Sequence, residues 1–486
     1  MSSKNRREFL ESSMFATAAA LAAGSVTAVR AAEQGSKSPS EKLSVAIVGV
    51  NGRGTDHIRG YIDRSDVEIK YICDVDEKVG QKRVEEIIKR NKGHKPKFVK
   101  DLREVLEDKS LDLVSIATPN HWHALGAIWA IQAGKDVYVE KPVSHNVGEG
   151  RRIVEAARKY NKICQTGTQS RSMSGMREAI QMIHDGAIGE VKLARGLCYK
   201  PRGPIGKLDK PLEIPSHIDY DLWCGPAAKV DLYRPRLHYD WHWDYNTGNG
   251  DLGNQGIHQM DIARWGLGLD GLSKGVLSYG GRIGWNDGGN TAHTQVCIHD
   301  YGDKTLVFEV RGLKTDDYKG AKVGVIFEGS EGYAVMPSYT SCTFFDKSGK
   351  KLKTTNGGGD HYDNFIKAVR SRKIEDLHAD IEEGHQSSAL CHTANISYLL
   401  GSEVSPAELL DRLGSLKTKD DVKETFARTK QHLAANNMDL EKTKLTLGPW
   451  LKFNPETETF VDNSQADALL FRPGRGAYTV PAKGKV

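Results

Sequence analysis

The chain is poor in three things that would place a protein at once. It has no long apolar run: the most apolar stretch near its start, Met14 to Val29, is alanine-rich, too short and too weakly apolar to span a bilayer. It has no cysteine framework, since Cys73, Cys164, Cys198, Cys224, Cys297, Cys342 and Cys391 are an odd, widely spaced set without a C-x-x-C pair. They read as small buried residues, and no metal site is expected. It has little excess charge: the formal net charge is +5 over 486 residues, with no basic run along the chain. That excludes the electrostatic footprint of a nucleic-acid binder. What is present, 38% hydrophobic and 27% charged residues, fits a soluble globular protein with material for two domains.

The N-terminus is a targeting segment. Asn5-Arg6-Arg7-Glu8-Phe9-Leu10 resembles a twin-arginine export motif, and small residues at Ala28, Ala31 and Ala32 offer cleavage points. Residues 1–32 are therefore expected to be an export signal and 33–42 a polar linker, with a periplasmic or exported location and no stable membrane insertion. This route carries folded proteins, so an enzyme using it would travel with any cofactor already aboard.

The first domain is expected over 43–168. Val45 to Val48 is a charge-free apolar run, as in a strand buried on both faces. It runs into Gly49-Val50-Asn51-Gly52-Arg53-Gly54, a turn whose residues without a Cβ let backbone approach a pyrophosphate. A second strand, Val67 to Asp74, ends in a carboxylate about 20 residues past the last glycine, where it can bind a ribose hydroxyl. Further strands at Lys97–Lys100, Leu113–Ala117, Asp136–Val139 and Ile163–Thr166 alternate with helical patterns at Asp76–Arg90, Leu102–Glu107, His123–Ala133 and Gly148–Tyr160. This alternation predicts a doubly wound parallel sheet. From Glu190 the pattern changes to longer alternating runs, Val191–Tyr199, Gly275–Tyr279, Ala292–His299, Thr305–Arg311, Lys322–Glu328 and Tyr333–Met336, predicting a large open, mostly antiparallel sheet in a second, α+β domain over 169–404. Helices are expected at Gly256–Gly266, Asp360–Ser371 and Gly384–Gly401, and the tail, 405–486, carries one more near Thr418–Leu433 and an extended end.

Ligands of parallel sheets bind beyond the carboxyl ends of the strands, which singles out two strand ends. Tyr138-Val139-Glu140-Lys141-Pro142 brings Glu140 and Lys141 to the cofactor edge. Taking hydride from a carbinol carbon needs a base for the hydroxyl proton, and a lysine beside a positively charged nicotinamide would have the lowered pKa that suits it. Thr118-Pro119-Asn120-His121-Trp122-His123 makes a polar turn at the same edge, with Thr118, Pro119, Asn120 and His123 expected against the cofactor. On the helix near Gly256, Asn254, His258 and Asp261 fall at i, i+4 and i+7, on one face; this is either a structural hydrogen-bond network or a catalytic group. Trp241 and Trp243, just upstream, offer flat faces that stack on sugars, or else plain core.

Together these pieces resemble the Gfo/Idh/MocA family, which includes glucose–fructose oxidoreductase and inositol dehydrogenase. The most specific carriers are Ala133-Gly134-Lys135-Asp136-Val137-Tyr138-Val139-Glu140-Lys141-Pro142 and Gly256-Ile257-His258-Gln259-Met260-Asp261. The resemblance implies a Rossmann domain, a C-terminal sheet through which dimers or tetramers form, and Lys141 and His258 flanking a substrate hydroxyl beside the nicotinamide of NAD. NADP is disfavoured by Asp74. Two departures stand out: Asn51 replaces the usual second glycine, and Asn254 stands where many sugar dehydrogenases of the family carry Asp, leaving Lys141, His258 and Asp261 to move protons. The export signal and the Asn-Gln-Gly-Ile-His run are similar to secreted members, including glycoside hydrolase family 109, in which a tightly held NAD oxidises a sugar transiently and elimination cleaves the glycosidic bond. Expected, then, is an NAD-dependent oxidoreductase acting on a carbohydrate or polyol hydroxyl with tightly bound cofactor; the alternatives are a glycosidase of that redox-neutral kind and a non-catalytic sugar-binding relative.

Overall fold

In the computed structural model, which describes residues 41–91, 94–439 and 442–486, six short apolar strands form a single parallel sheet. They are β1 (Leu43–Val48), β2 (Val67–Cys73), β3 (Lys97–Val99), β4 (Leu113–Ile116), β5 (Asp136–Val139) and β6 (Cys164–Thr166), in the order β3-β2-β1-β4-β5-β6. β4 and β5 are buried at every residue, so helices must cover both faces of the sheet. The crossovers are α1 (Gly54–Ile62), α2 (Glu77–Arg90), α3 (Leu102–Leu106), α4 (Asn120–Gln132) and α5 (Val147–Lys159). Strand order reverses between β1 and β4, which leaves a crevice at their carboxyl ends. Asp76, Asp101 and Asn146 cap α2, α3 and α5 with side-chain oxygens, whereas α1 and α4, the helices that start at the crevice, have no side-chain cap. The export signal and nearly all of the linker lie outside the described residues.

After α6 (Ser174–His184) the chain enters a twelve-stranded sheet. Its strands are β7 (Val191–Cys198), β8 (Gly275–Gly281), β9 (Thr294–Asp300), β10 (Thr305–Arg311), β11 (Val323–Gly329), β12 (Gly332–Met336), β13 (Ser341–Asp346), β14 (Lys351–Asn356), β15 (Ser402–Val404), β16 (Leu445–Leu447), β17 (Leu451–Asn454) and β18 (Thr459–Phe460). All pairings are antiparallel except β7 with β10. The short helix α7 (Tyr220–Cys224) sits in the long loop after β7. One sheet face packs α8 (Ile257–Gly266) and α10 (Ile381–Leu399) over Phe308 and Phe327, while α9 (His361–Ser371) joins the Rossmann side through Phe365. The other face is covered by α11 (Pro406–Gly414) and α12 (Val422–Ala435), whose Leu409, Leu413, Phe426 and Leu433 pack on Leu277, Tyr279, Val296 and Val307. At the centre of that second layer, buried Glu309 accepts from Arg195 at 2.8 Å, Arg428 at 2.7 Å and Tyr199 at 2.7 Å, and Arg195 also pairs with Asp420.

The two-domain α/β and α+β architecture is the one expected. Differences are local. The β13–β14 hairpin and α6 had no counterpart among the predicted elements; β14 is a polar edge strand in which only Thr355 is buried. α4 starts at Asn120 rather than His123, since Pro119 fixes the backbone at its N-cap and Asn120, His121 and Trp122 are all buried. The third difference changes the site: α8 is preceded by a π turn, Leu252–Gly256, in which the Ile257 N–H reaches back to the Leu252 carbonyl. Asn254, His258 and Asp261 therefore do not share one regular α-helical face.

Candidate active site

The crevice opens into a cleft of about 330 Å³, lined by the glycine turn, Asp74, Thr118–Asn120, Glu140, Lys141 and the loop before α8. That volume lies in the range of small-molecule sites, about 300–1,000 Å³. The three glycines serve different purposes. Gly49 has φ +80°, and a Cβ there would stand 2.7 Å from the Thr118 nitrogen. A Cβ on Gly54 would meet the Gly49 carbonyl at 2.0 Å, while one on Gly52 would meet nothing within 4 Å. Gly49 and Gly54 therefore close the turn, and Gly52 leaves open space above it. Arg83 of α2 holds the turn from outside by donating to the Val50 and Asn51 carbonyls at 3.0 and 3.2 Å.

The turn carries the marks of a phosphate cradle: an uncapped helix start, backbone that can be approached closely, and Arg53 beside it. Asp74 accepts from the N–H groups of Val50 (2.7 Å) and Asp76 (2.9 Å) and faces the cleft from the end of β2; burial raises its carboxyl pKa. The Thr118 hydroxyl, buried at the cleft wall, has no partner. An uncapped helix, a carboxylate one strand over and an unmatched hydroxyl between them fit the phosphates and ribose of a dinucleotide. Among the described residues no cluster of His, Cys, Asp or Glu could hold a metal ion.

Lys141 also lines the cleft and is followed by a cis peptide bond to Pro142. Its Nζ donates to the Asn254 carbonyl at 2.6 Å, a carbonyl presented at the π turn. Burial pushes its pKa down to about 8; Glu140 opposes that shift, and the charges of Arg53 and Lys200 add to it. Glu140 is buried and accepts from Arg53 at 3.0 Å, with His57 at 3.2 Å and Gln169 at 3.1 Å. Burial alone would raise its carboxyl, but Arg53 and His57 hold it well below the ordinary range. His258, the second residue of α8, stands with its ring 4.9 Å from that of Tyr339, and burial together with the Lys141 charge keeps its pKa well below the usual histidine value.

Several expected residues sit elsewhere. Asp261 is buried and takes Arg171 through both oxygens at 2.9–3.0 Å, with Ser387 at 2.8 Å. Its place is in an ion pair that ties α8 to residues 169–172 and α10, not at the cleft. Trp243 is buried under the Arg202 guanidinium, 4.9 Å from its ring centre, whereas Trp241 reaches the cleft with its ring stacked at 3.6 Å on that of His242. The His123 ring bridges the carbonyls of Pro142 (2.6 Å) and Thr118 (2.7 Å), binding the two strand ends together. The Asn120 amide is engaged with Asn249 at 2.9 Å. Asn254 contributes its backbone where a side chain was expected.

Other groups at the cleft were not singled out from the sequence. His242 lines it next to Lys141 and Trp241, with Nδ1 against the Tyr239 carbonyl. Leu222, Trp223, His238 and Tyr239 wall the end near Asp74. All five come from the aromatic-rich stretch 201–250, and the signal that could have pointed to them was that loop's length.

Comparison with known proteins agrees with the fold. Residues 43–168 match the Gfo/Idh/MocA model described as an oxidoreductase family with NAD-binding Rossmann fold, and residues 205–410 match that family's C-terminal α/β domain. The WlbA dehydrogenase of Bordetella pertussis, solved with NADH and UDP-GlcNAcA, shares the fold at TM-score 0.54 and 20% identity, over 73% of this chain and 96% of that one. GenD2 of gentamicin A biosynthesis, solved with NAD, gives TM-score 0.52 and 18% identity over 74% and 95%. A glycosyl hydrolase family 109 protein of a Shewanella species is 32% identical over 154 residues, and an α-N-acetylgalactosaminidase of Shewanella oneidensis is 31% identical over 154 residues. Each of those two matches covers 31% of this chain and 34% of the relative, so the matched stretch spans about a third of their length.

Proposed function

The chain belongs to the Gfo/Idh/MocA oxidoreductase family, and from that premise we propose that it is an exported enzyme oxidising a hydroxyl of a carbohydrate or polyol with NAD. The observation that carries this reading is a buried lysine, its pKa lowered to about 8, facing the same cleft as the glycine turn and Asp74. A nicotinamide bound there supplies the hydride acceptor. Lys141 in its neutral form takes the hydroxyl proton; even when neutral it can donate one N–H to the Asn254 carbonyl, which leaves its lone pair for the substrate. His258, neutral and braced by Tyr339, orients the same hydroxyl. Trp241 and His242 give the sugar a flat surface to rest on. The Asp74 carboxylate favours NAD, because a 2′-phosphate would face its charge.

Export by the twin-arginine route rests on Asn5–Leu10 and the alanine-rich run behind it. Dimers or tetramers are the expected assemblies, as the family resemblance implies.

The test is reduction of enzyme-bound NAD by added sugars, followed by the near-ultraviolet absorbance of the reduced ring. His258→Ala should slow that single-turnover step about a hundredfold, the cost of a misplaced substrate, with nucleotide content unchanged. An equal rate in the variant would remove His258 from the site.

A redox-neutral glycosidase is the second reading, favoured by the resemblance to family 109 over 154 residues. Aryl glycosides with no added NAD separate the two: phenol released without net NADH supports the glycosidase, and net reduction without phenol supports the oxidoreductase.

A further inference from the structure

The wall of the cleft next to Asp74 is not made by the Rossmann domain alone. Leu222, Trp223, His238 and Tyr239, from the loop after β7, stand opposite the ends of β1, β2 and β4. The loop is fastened at three places. At the first, Asp76, two residues past Asp74, accepts from His217 Nδ1 and His238 Nε2, both at 2.9 Å. The main chain doubles this clasp: the Glu77 N–H donates to the His217 carbonyl at 3.0 Å, and the Asp219 N–H to the Val75 carbonyl at 3.2 Å. Burial would raise the Asp76 carboxyl, but the bonds from His238, Val79 and His217 hold it below its usual value.

At the second place, Trp122 Nε1 of α4 donates to the Leu222 and Trp223 carbonyls at 3.0 and 3.1 Å, and Gly225, with φ +48°, lets the loop pass where a Cβ would stand 2.3 Å from the Trp122 ring. At the third, the tail crosses on top. Arg475 donates to Asp221 at 3.0 Å and to the Ala227 carbonyl at 3.2 Å, and Tyr478 packs its ring 5.5 Å from that of Trp122.

Resting on the dinucleotide reading above, we propose that the substrate domain builds the adenosine half of the cofactor site through residues 217–242, and that Asp76 is the positioning residue that keeps it closed, so that the NAD stays through turnover. A wall fixed to both domains and overlain by the tail cannot swing aside without breaking the bonds of Asp76, Trp122 and Arg475 together. Dissociation then requires local opening of this segment rather than simple diffusion from an open groove.

The experiment follows nucleotide retention, not turnover. Full-length protein is desalted, its bound nucleotide quantified by mass and absorbance, and its exchange timed with an excess of isotopically labelled NAD. Asp76→Asn keeps an N-cap for α2 but removes the charge shared by the two histidines; His238→Gln loosens the clasp from the loop side without touching α2. Both are expected to exchange NAD at least tenfold faster than the wild type, and Trp223→Ala likewise. Asp261→Asn, which weakens a buried pair that none of the loop's three fastenings uses, should lower the melting temperature and leave the exchange rate alone. Wild-type protein that binds NAD but exchanges it within seconds overturns the proposal, as does retention unchanged in both clasp variants. Wild-type protein that neither carries nor binds NAD(H) overturns the dinucleotide reading itself.

Discussion

Lys141→Ala should lower turnover by about 10²–10⁴-fold, the usual contribution of a positioned proton carrier, with the bound dinucleotide still in place. Steady-state rates and nucleotide content measured on the same preparation check both halves of that statement. The effect is large because the titratable neighbours of Lys141 cannot take its place: Glu140 is held ionised by Arg53 and His57, and His242 is pushed down to about 3 by burial. The sign of the pH dependence follows. Oxidation of the hydroxyl needs the neutral amine, so its rate should climb as pH rises through about 8; the reverse reduction needs the ammonium and should fall over the same interval. Lys141→Arg keeps the positive charge but cannot give up its proton at any of these pH values. A variant arginine enzyme with wild-type rates would remove Lys141 from proton transfer.

The second large effect is on stability. Asp261→Ala should cost about 3 kcal/mol, the lower end of the range for breaking a buried ion pair, measured by denaturant unfolding. Arg171 would keep Glu383 at 2.9 Å but lose both oxygens of Asp261 in a site where it is itself buried. The remaining folded enzyme should keep a normal chemical step, since Asp261 touches Arg171 and Ser387 and not the cleft. A stable but inactive variant would contradict this and return Asp261 to the chemistry.

These two residues show where sequence reading reached and where it stopped. The parallel sheet was legible because strands buried on both faces must be apolar throughout, and the glycine turn because close backbone approach leaves few residue types to choose from. Lys141 was marked by its place at a strand's carboxyl end. Of the two readings left open for Asp261, the spacing could not favour the structural one, because its partner, Arg171, is 90 residues away and no local pattern announces such a pair. The π turn before α8 was invisible for a related reason: an extra residue in one helical turn leaves no compositional mark, yet it decides that Asn254 offers a carbonyl to Lys141. Spacing by 3.6 residues placed Asn254, His258 and Asp261 together, and the wider turn takes Asn254 off that face. The covering loop, 201–250, has neither period, so its length signalled importance without showing which side chains turn inward.

The seam beneath α12 sets a limit on how acidic a medium the outer layer tolerates. Burial alone would raise the Glu309 carboxyl, but Arg195 and Arg428 hold it at about 2 against an ordinary 4.5. A carboxyl depressed on folding stabilises the native state fully above its unfolded value, and that contribution drains away between about pH 4.5 and 2. Once Glu309 takes up a proton, the guanidinium groups of Arg195, Arg311 and Arg428 lose the central anion they converge on. Acid thus loosens α12 from the sheet at its middle strands, away from the cleft where the chemistry is done.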